Sequence, residues 1–217
     1  MTFSDDASDL PLSQDSLEAQ WSARDISMMN VTEVFARKPG ILKKAEAQLT
    51  RLKESIEIVL PDYASALPAE ANIQKWQIAR GENHKNFPFI SLDIPQYFSK
   101  TEMFAFRTLF WWGHYLGFAL ILKGEKLPGY IKRLTELKNG DEWKDVYFSS
   151  AQTPWEWGLE SCQNAQETSN DSIEDIVSNI QYLKLCRVFP LDAPEFNQLD
   201  WAKEGATSFK IMAEVAR

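Results

Sequence analysis

The sequence predicts an α+β fold in which an antiparallel β-meander of about four to five strands, within residues 73–150, packs with N-terminal and C-terminal helices. Apolar residues recur every three or four positions before residue 60 and after residue 171, and they alternate with period two from residue 73. A hydrophobic fraction of 44% supplies enough apolar surface for a core, which excludes disorder of the whole chain.

We expect an acidic, disordered tail at residues 1–12 and a single α+β domain over residues 13–217. Within the domain, the patterns predict a helical, a sheet-rich and a second helical region, at residues 14–60, 73–150 and 171–216. The sequence leaves open whether residues 1–36 pack on the domain or form a separate arm.

Two helices are predicted in the first helical region. The first lies within residues 14–37 and carries Met28, Val31 and Phe35 on one face. Pro39-Gly40 opens the second helix and Pro61 closes it. Its continuous apolar seam is formed by Leu42, Ala45, Leu49, Leu52, Ile56 and Val59. We expect this seam to pack on the protein's own core, with a partner helix as the less favoured occupant.

Period-two alternation predicts a hairpin between residues 73 and 95. The segments 73–81 and 86–95 both alternate apolar with polar residues, the apolar ones being Trp76, Ile78, Ile90, Leu92 and Ile94. The link from Gly81 to Asn86 is rich in turn formers, and we expect His84 within it to be solvated.

Helix and strand compete for residues 100–112, which open the nearly apolar segment 103–122. Ser99 and Glu102 form a possible capping box, which favours a helix. The alternation of Phe104, Phe106, Phe110 and Trp112 favours a strand that turns at Gly113 and pairs with its neighbour, and we prefer this interpretation. We expect no membrane span, because a central arginine is costly in lipid.

The predicted hairpin has a definite register. If Trp112-Gly113 forms the turn, residues whose numbers sum to 225 face each other. Phe106 then meets Ala119 and Thr108 meets Gly117, so that large side chains oppose small ones. On the other face, the predicted pairs are Trp111 with His114 and Arg107 with Phe118.

The remaining elements are mostly helical. Residues 127–140 predict a short helix ending at Gly140, and residues 145–150 predict a strand. Capping boxes of Asp171 with Glu174, and of Asp192 with Glu195, predict the starts of two further helices. Their inward stripes are Ile173, Ile176, Val177, Ile180 and Leu183 for the first, and Phe196, Leu199, Ala202, Ala206, Phe209 and Met212 for the second.

Net charge and cysteine content limit the functions that the sequence allows. A net charge of −8 and a pI near 4.9 argue against binding to nucleic acid or anionic membranes. Six acidic residues against Arg24 give the first 25 residues a net charge of −5, whereas residues 37–57 are mainly basic. Cys162 and Cys186 lack metal or redox spacing, and the N-terminus lacks signal-peptide features. We therefore predict a cytoplasmic protein with two free thiols.

Arg107 and His114 are the first candidates for ligand chemistry. An arginine among apolar residues must find an anion or an aromatic ring, because its charge cannot be neutralised. Arg107 can clamp a ligand carboxylate or phosphate, but an internal salt bridge with Asp93, or stacking on Phe118, is favoured. His114 can act as a general base, although stacking or hydrogen bonding beside Trp111 is the favoured interpretation.

Three further tryptophans can form a cage for a cationic ligand, namely Trp143, Trp155 and Trp157. A loop that folds its tryptophans over its own sheet produces the same pattern and is favoured. The candidate ligand-binding residues are therefore Arg107, Trp111, His114, Trp143, Trp155 and Trp157. We predict no catalytic residue, metal ligand or cofactor, because nucleophile-elbow, glycine-rich phosphate-loop and zinc motifs are missing from the sequence.

Two hypotheses for function remain. The first is a cytoplasmic, non-catalytic protein that binds a protein partner, as regulatory, inhibitor or immunity-type proteins do, or that self-associates. The acidic N-terminus, the amphipathic helix at 41–59 and the scarcity of catalytic motifs favour it. The alternative is a small-molecule-binding protein or enzyme with an aromatic pocket around Arg107 and His114.

Overall fold

The computed structural model describes residues 20–68 and 75–217, which form parts of two compact units, residues 1–41 and 42–217. The acidic tail predicted at residues 1–12 lies outside the described residues. Helix α1, Ala23–Met29, begins at a capping box, in which Ser22 Oγ accepts from the Asp25 amide at 3.1 Å. The Asp25 carboxylate accepts from the Ser22 amide at 2.8 Å in return.

Helix α2, Thr32–Val59, is longer than the sequence predicts. Pro39 lies inside it, so the prediction that Pro39-Gly40 opens a new helix was wrong. Proline removes one helical hydrogen bond, but its fixed φ is compatible with the helix, and the flanking turns continue through it. The predicted seam is largely confirmed, since Ala45, Leu49, Leu52 and Ile56 are buried. Pro61 then stands at the start of a 3-10 helix, Leu60–Ala66.

Seven antiparallel strands form one sheet in the order β1-β2-β3-β4-β7-β5-β6. They are β1 (Gln77–His84), β2 (Phe87–Phe98), β3 (Met103–Trp111), β4 (Tyr115–Lys123), β5 (Tyr147–Ser149), β6 (Cys162–Asn164) and β7 (Leu183–Pro190). The α+β class with terminal helices is confirmed, but the sheet has seven strands instead of the predicted four to five. The additional strands β6 and β7 lie beyond residue 150.

Strand β7 corrects the prediction that residues 171–216 are helical throughout. The helix Asn170–Ile180 is followed by Gln181 in the left-handed conformation, with φ of 62°. Leu183 therefore starts a strand instead of extending the helical stripe. Because β7 pairs with β4 on one side and with β5 on the other, this unpredicted strand lies inside the sheet.

The favoured hairpin at residues 103–122 is confirmed, but its register differs by one residue from the prediction. Trp111 pairs with Tyr115, and Arg107 pairs with Ala119 instead of Phe118. The turn contains three residues instead of two, and its middle residue, Gly113, has φ of 75°. A left-handed residue in the turn adds one position to the loop, which shifts every pair by one.

The two faces of the sheet are covered differently. The helix face packs against α2 and the last helix, and its side chains include Phe104, Phe106, Thr108, Phe110, Phe118, Leu120 and Leu185. On this face Phe106 stacks parallel to Phe118 and meets Phe209 edge-on, with centroids 6.4 and 5.2 Å apart respectively. The opposite face, here called the loop face, carries Asp93, Arg107, Leu109, Trp111, Tyr115, Ala119, Lys184 and Cys186.

Three further α-helices lie in the described part of the chain: α3 (Leu127–Leu137), α4 (Asn170–Ile180) and α5 (Trp201–Ala213). The predicted helix after residue 127 is confirmed. The two predicted capping boxes were wrong, because Ser169 caps α4 and Asp200 caps α5. Residues near Asp192 instead lead into a 3-10 helix, Pro194–Gln198. Within residues 20–68 and 75–217, no helix has both the length and the apolar content needed to cross a membrane.

Gly205 lies where α5 closely approaches both helix α2 and strand β4. A Cβ atom at this position would lie 2.3 Å from Leu52 Cδ1 and 2.9 Å from Phe118 Cε1, in a fully buried environment. We expect Gly205→Ala to lower the free energy of unfolding by about 1–3 kcal/mol, measured by urea denaturation.

Gly129 on α3 is the matched control, since nothing lies within 4 Å of its added Cβ. Gly129→Ala should raise the free energy of unfolding by up to ~1 kcal/mol through helix propensity alone. Equal gains from both substitutions would show that α5 does not pack this closely on the sheet.

Candidate functional site

The loop face is covered by the segment between β5 and the 3-10 helix Leu159–Ser161, residues 150–158, here called the tryptophan loop. Buried side chains of the sheet hold it through its backbone carbonyls. Tyr182 Oη donates to the Ala151 carbonyl at 2.6 Å, and Tyr115 Oη donates to the Trp157 carbonyl. Both tyrosines are buried, so these hydrogen bonds are shielded from water.

Lys184 on β7 is the charged group beneath this loop. Lys184 is only 2% exposed, and its ammonium donates to the carbonyls of Pro154 at 3.1 Å and Glu156 at 2.6 Å. The ammonium also lies 3.6 Å from the centre of the Trp157 ring. Burial lowers the pKa of Lys184 to about 8, although nearby acidic groups raise it in part.

Arg107 on β3 is paired within the protein. Its Nε and Nη2 donate to the two carboxylate oxygens of Asp93, each at 2.6 Å, in a bidentate arrangement. The exposed side of the guanidinium lies 4.6 Å from the Trp155 ring centre. The internal salt bridge with Asp93, the favoured interpretation of Arg107, is therefore present, and it occupies the fork that a ligand anion would need.

The candidate tryptophans lie in different environments. Trp155 covers Arg107 and Trp157 covers Lys184, so the protein's own cations occupy their ring faces. Trp143 is buried within a separate 3-10 turn, Asp141–Trp143. The arrangement matches a loop that folds its tryptophans over its own sheet.

Trp111 and His114 are brought together. Their rings stack in parallel with centroids 3.6 Å apart, although the strand register pairs Trp111 with Tyr115. His114 Nδ1 lies 2.9 Å from the Trp112 carbonyl, so that nitrogen carries the proton. The ring is thereby held at the turn, as the stacking interpretation predicts.

His84 joins the same cluster, so the expectation that it is solvated was wrong. Its ring meets Trp111 edge-on at 4.9 Å, and its carbonyl accepts from Trp111 Nε1 at 3.2 Å. His84 Nε2 is buried and makes no hydrogen bond with the described part of the chain. Burial lowers the pKa of His84, which keeps the ring neutral.

A cavity of about 420 Å³ opens beside this cluster. It is lined by Lys85, Trp111, His114, Tyr115, Gly158, Leu159, Glu160 and Pro190. Two of the six predicted ligand-binding residues, Trp111 and His114, share this cavity, whereas the other four do not line it. Lys85 pairs with Glu160 at 3.2 Å and with Glu156 at 2.6 Å, so the ammonium at the rim is already paired within the protein.

Glu156 fixes the tryptophan loop from its outer side. Burial opposes its ionisation, but the hydrogen bonds from Lys85 and from the amides of Gly158 and Trp157 together lower its pKa. Lys184, Glu156 and Lys85 are the residues that sequence reasoning missed. The only sequence signal for a buried lysine was the position of Lys184 between Leu183 and Leu185. This signal can be read only if residues 183–190 are identified as a strand.

The two cysteines are free and lie near Lys184. A hydrogen bond between the two thiols lowers the pKa of Cys162 and raises the pKa of the buried Cys186 well above its usual value. Among the residues that the structure describes, no group of three or more His, Cys, Asp and Glu side chains is placed to hold a metal ion.

Comparison of the chain with models of protein families, with curated proteins and with solved structures finds no match. The geometry of the side chains therefore carries the functional interpretation.

The Arg107–Asp93 pair gives a direct test of this geometry. Asp93 is only 5% exposed as a side chain, so Arg107→Met leaves a buried carboxylate without a partner. We expect this change to lower the free energy of unfolding by about 3–5 kcal/mol, measured by urea denaturation. Adding Asp93→Asn should recover much of the loss, because the uncompensated charge is removed.

Arg37→Met is the matched control, because Arg37 pairs with Glu33 on the exposed surface of α2. It should change the free energy of unfolding by no more than ~0.5 kcal/mol. If Arg107→Met costs as little as Arg37→Met, Arg107 is not committed to Asp93 and is available to a ligand.

Proposed function

We propose that the protein is non-catalytic and acts by binding a protein partner through its N-terminal helical unit. One observation carries this proposal: large apolar side chains in that unit are between 42% and 70% exposed. They form the N-terminal apolar surface, which consists of Trp21, Ile26, Met28, Met29, Val31, Val34 and Phe35. Large apolar side chains left exposed this densely along residues 21–35 favour an interaction surface.

The size of this surface supports specific binding. At ~200 Å² for a large side chain, the exposed fractions leave on the order of 800 Å² of apolar surface, which is about one partner's share of a standard interface. Trp21 and Phe35 are the most exposed, at 70% and 69%, and aromatic side chains are the usual anchors of such interfaces.

The charge pattern indicates the chemistry of the partner. The first 25 residues carry a net charge of −5, and this acidic sequence directly precedes or overlaps the apolar surface. The complementary partner is a protein with an apolar groove bordered by lysine and arginine side chains. Such a complex would form faster and more tightly at low ionic strength than at high ionic strength.

Immobilised wild-type protein, incubated with an extract of its source cells, tests the proposal. We expect one predominant protein to be retained at low salt and released at high salt. The double variant Trp21→Ser/Phe35→Ser should reduce its retention about tenfold or more, because it removes both aromatic anchors. Circular dichroism should be unchanged, since both side chains are exposed.

Ile58→Ser is the matched control, because Ile58 is 77% exposed but lies outside the N-terminal unit. It should retain the same protein as the wild type. Equal retention by all three proteins would contradict the proposal. A wild-type mass of twice 24.9 kDa by light scattering, lost in the double variant, would replace the proposed partner with a second copy of the chain.

A second candidate, binding of a small molecule beside Trp111 and His114, is favoured by the 420 Å³ cavity that both residues line. Arg107 does not line this cavity, so the candidate no longer includes an arginine clamp. A small molecule retained by the wild type but not by Leu159→Trp in native mass spectrometry would favour this candidate.

A further inference from the structure

A second cavity, of about 370 Å³, lies at the C-terminal end of β7, and Pro190 lines both this cavity and the one beside Trp111 and His114. Strand β5 pairs with β7 only at Leu185 and Cys186, so the following residues of β7 leave an edge that no described strand covers. The cavity is lined by Asp145, Tyr147, Arg187, Val188, Phe189, Pro190, Ala193, Glu195, Phe196 and Leu199. Most of its wall is therefore apolar, and two phenylalanines contribute to it.

Arg187 lines the cavity and carries one donor that has no partner among the described residues. Its Nη1 donates to Ser208 Oγ at 3.0 Å and lies 3.8 Å from Glu204 Oε2, which holds the guanidinium in place. The side chain is only 14% exposed, and its Nε is buried without a hydrogen bond to any described residue. A buried guanidinium N–H without an acceptor is costly, so this nitrogen is suited to a ligand oxygen.

Two carboxylates accompany this cation in the cavity lining. Asp145 and Glu195 are exposed residues that line the same cavity. With Arg187 they give the lining one positive and two negative charges, which disfavours a simple anion. A simple amine would pair with a carboxylate but would give the guanidinium no acceptor. A molecule that carries a carboxylate, an ammonium group and an apolar body satisfies all three groups.

We propose that this cavity binds a free α-amino acid with a large apolar or aromatic side chain. The ligand carboxylate accepts from Arg187, its ammonium lies near Asp145 or Glu195, and its side chain packs against Phe189, Phe196 and Leu199. The cavity volume is at the small end of the ~300–1,000 Å³ range of ligand sites, which favours a ligand of amino-acid size. This site is independent of the N-terminal apolar surface.

Isothermal titration calorimetry with three related probes tests the proposal. L-phenylalanine contains all three groups, 3-phenylpropanoate lacks the ammonium, and 2-phenylethylamine lacks the carboxylate. We expect L-phenylalanine to bind and each analogue to bind about tenfold more weakly or worse. An absence of L-phenylalanine binding up to about 10 mM, or equal binding of 3-phenylpropanoate, would overturn the proposal.

Two variants place the binding in this cavity. Arg187→Gln removes the charged donor, and Ala193→Trp fills the cavity without altering Arg187, which preserves a test if Arg187→Gln is unstable. Both should weaken L-phenylalanine binding about tenfold or more. Leu159→Trp, in the other cavity, should leave it unchanged. Binding that survives Ala193→Trp, or that is lost in Leu159→Trp, would contradict the assignment.

Discussion

The buried ammonium of Lys184 is the interaction on which the loop face depends. A charged group inside a protein requires compensation, and the sheet offers none at this position, because Lys184 pairs with Ile121 of β4 and lies between Leu183 and Leu185. The carbonyls of Pro154 and Glu156 and the ring of Trp157 supply that compensation. The tryptophan loop must therefore close over β7 for Lys184 to be buried, and its closure also covers the cysteines.

Closure of this loop determines where a partner or a ligand can bind. The ring faces of Trp155 and Trp157 contact the protein's own cations, and the fork of Arg107 is occupied by Asp93. Because Arg107 and Lys184 on the loop face are already paired within the protein, they are not available to bind an external ion. Unmatched groups lie elsewhere, as exposed apolar side chains in the N-terminal unit and as the buried Nε of Arg187 at the end of β7. The proposed functions rest on these groups.

The local patterns of the sequence predicted much of the fold. The seam of α2 and the hairpin of β3 and β4 follow from hydrophobic periodicity, and the pairing of Arg107 with Asp93 follows from the need to neutralise a buried charge. The register of the hairpin could not be predicted, because a left-handed Gly113 gives a three-residue turn. Strand β7 was missed because Leu183 also continues the helical spacing of α4.

The candidate site was harder to predict for the same physical reason. Lys184 acquires its environment from residues 28 and 30 positions away, and neither contact has a local pattern in the sequence. His84 was misjudged because its loop is polar, whereas its ring packs on Trp111 from a distant strand. Long-range contacts of this kind depend on the order of strands in the sheet, which hydrophobic periodicity does not encode.

The most direct test of loop closure is the pH dependence of stability in wild type and in Lys184→Met. The pKa of Lys184 is about 8 in the folded protein, against 10.5 for an unperturbed lysine. Between these pH values the unfolded chain binds a proton that the folded chain has lost, so stability rises with pH.

The free energy of unfolding, measured by urea denaturation from pH 8 to pH 10, should therefore rise in the wild type relative to Lys184→Met by about 2 kcal/mol. Both proteins keep Cys162 and Cys186, so the thiol titrations largely cancel in the difference. A difference that stays constant with pH would mean that Lys184 is solvated, that the tryptophan loop does not close, and that the loop face is open to ligands.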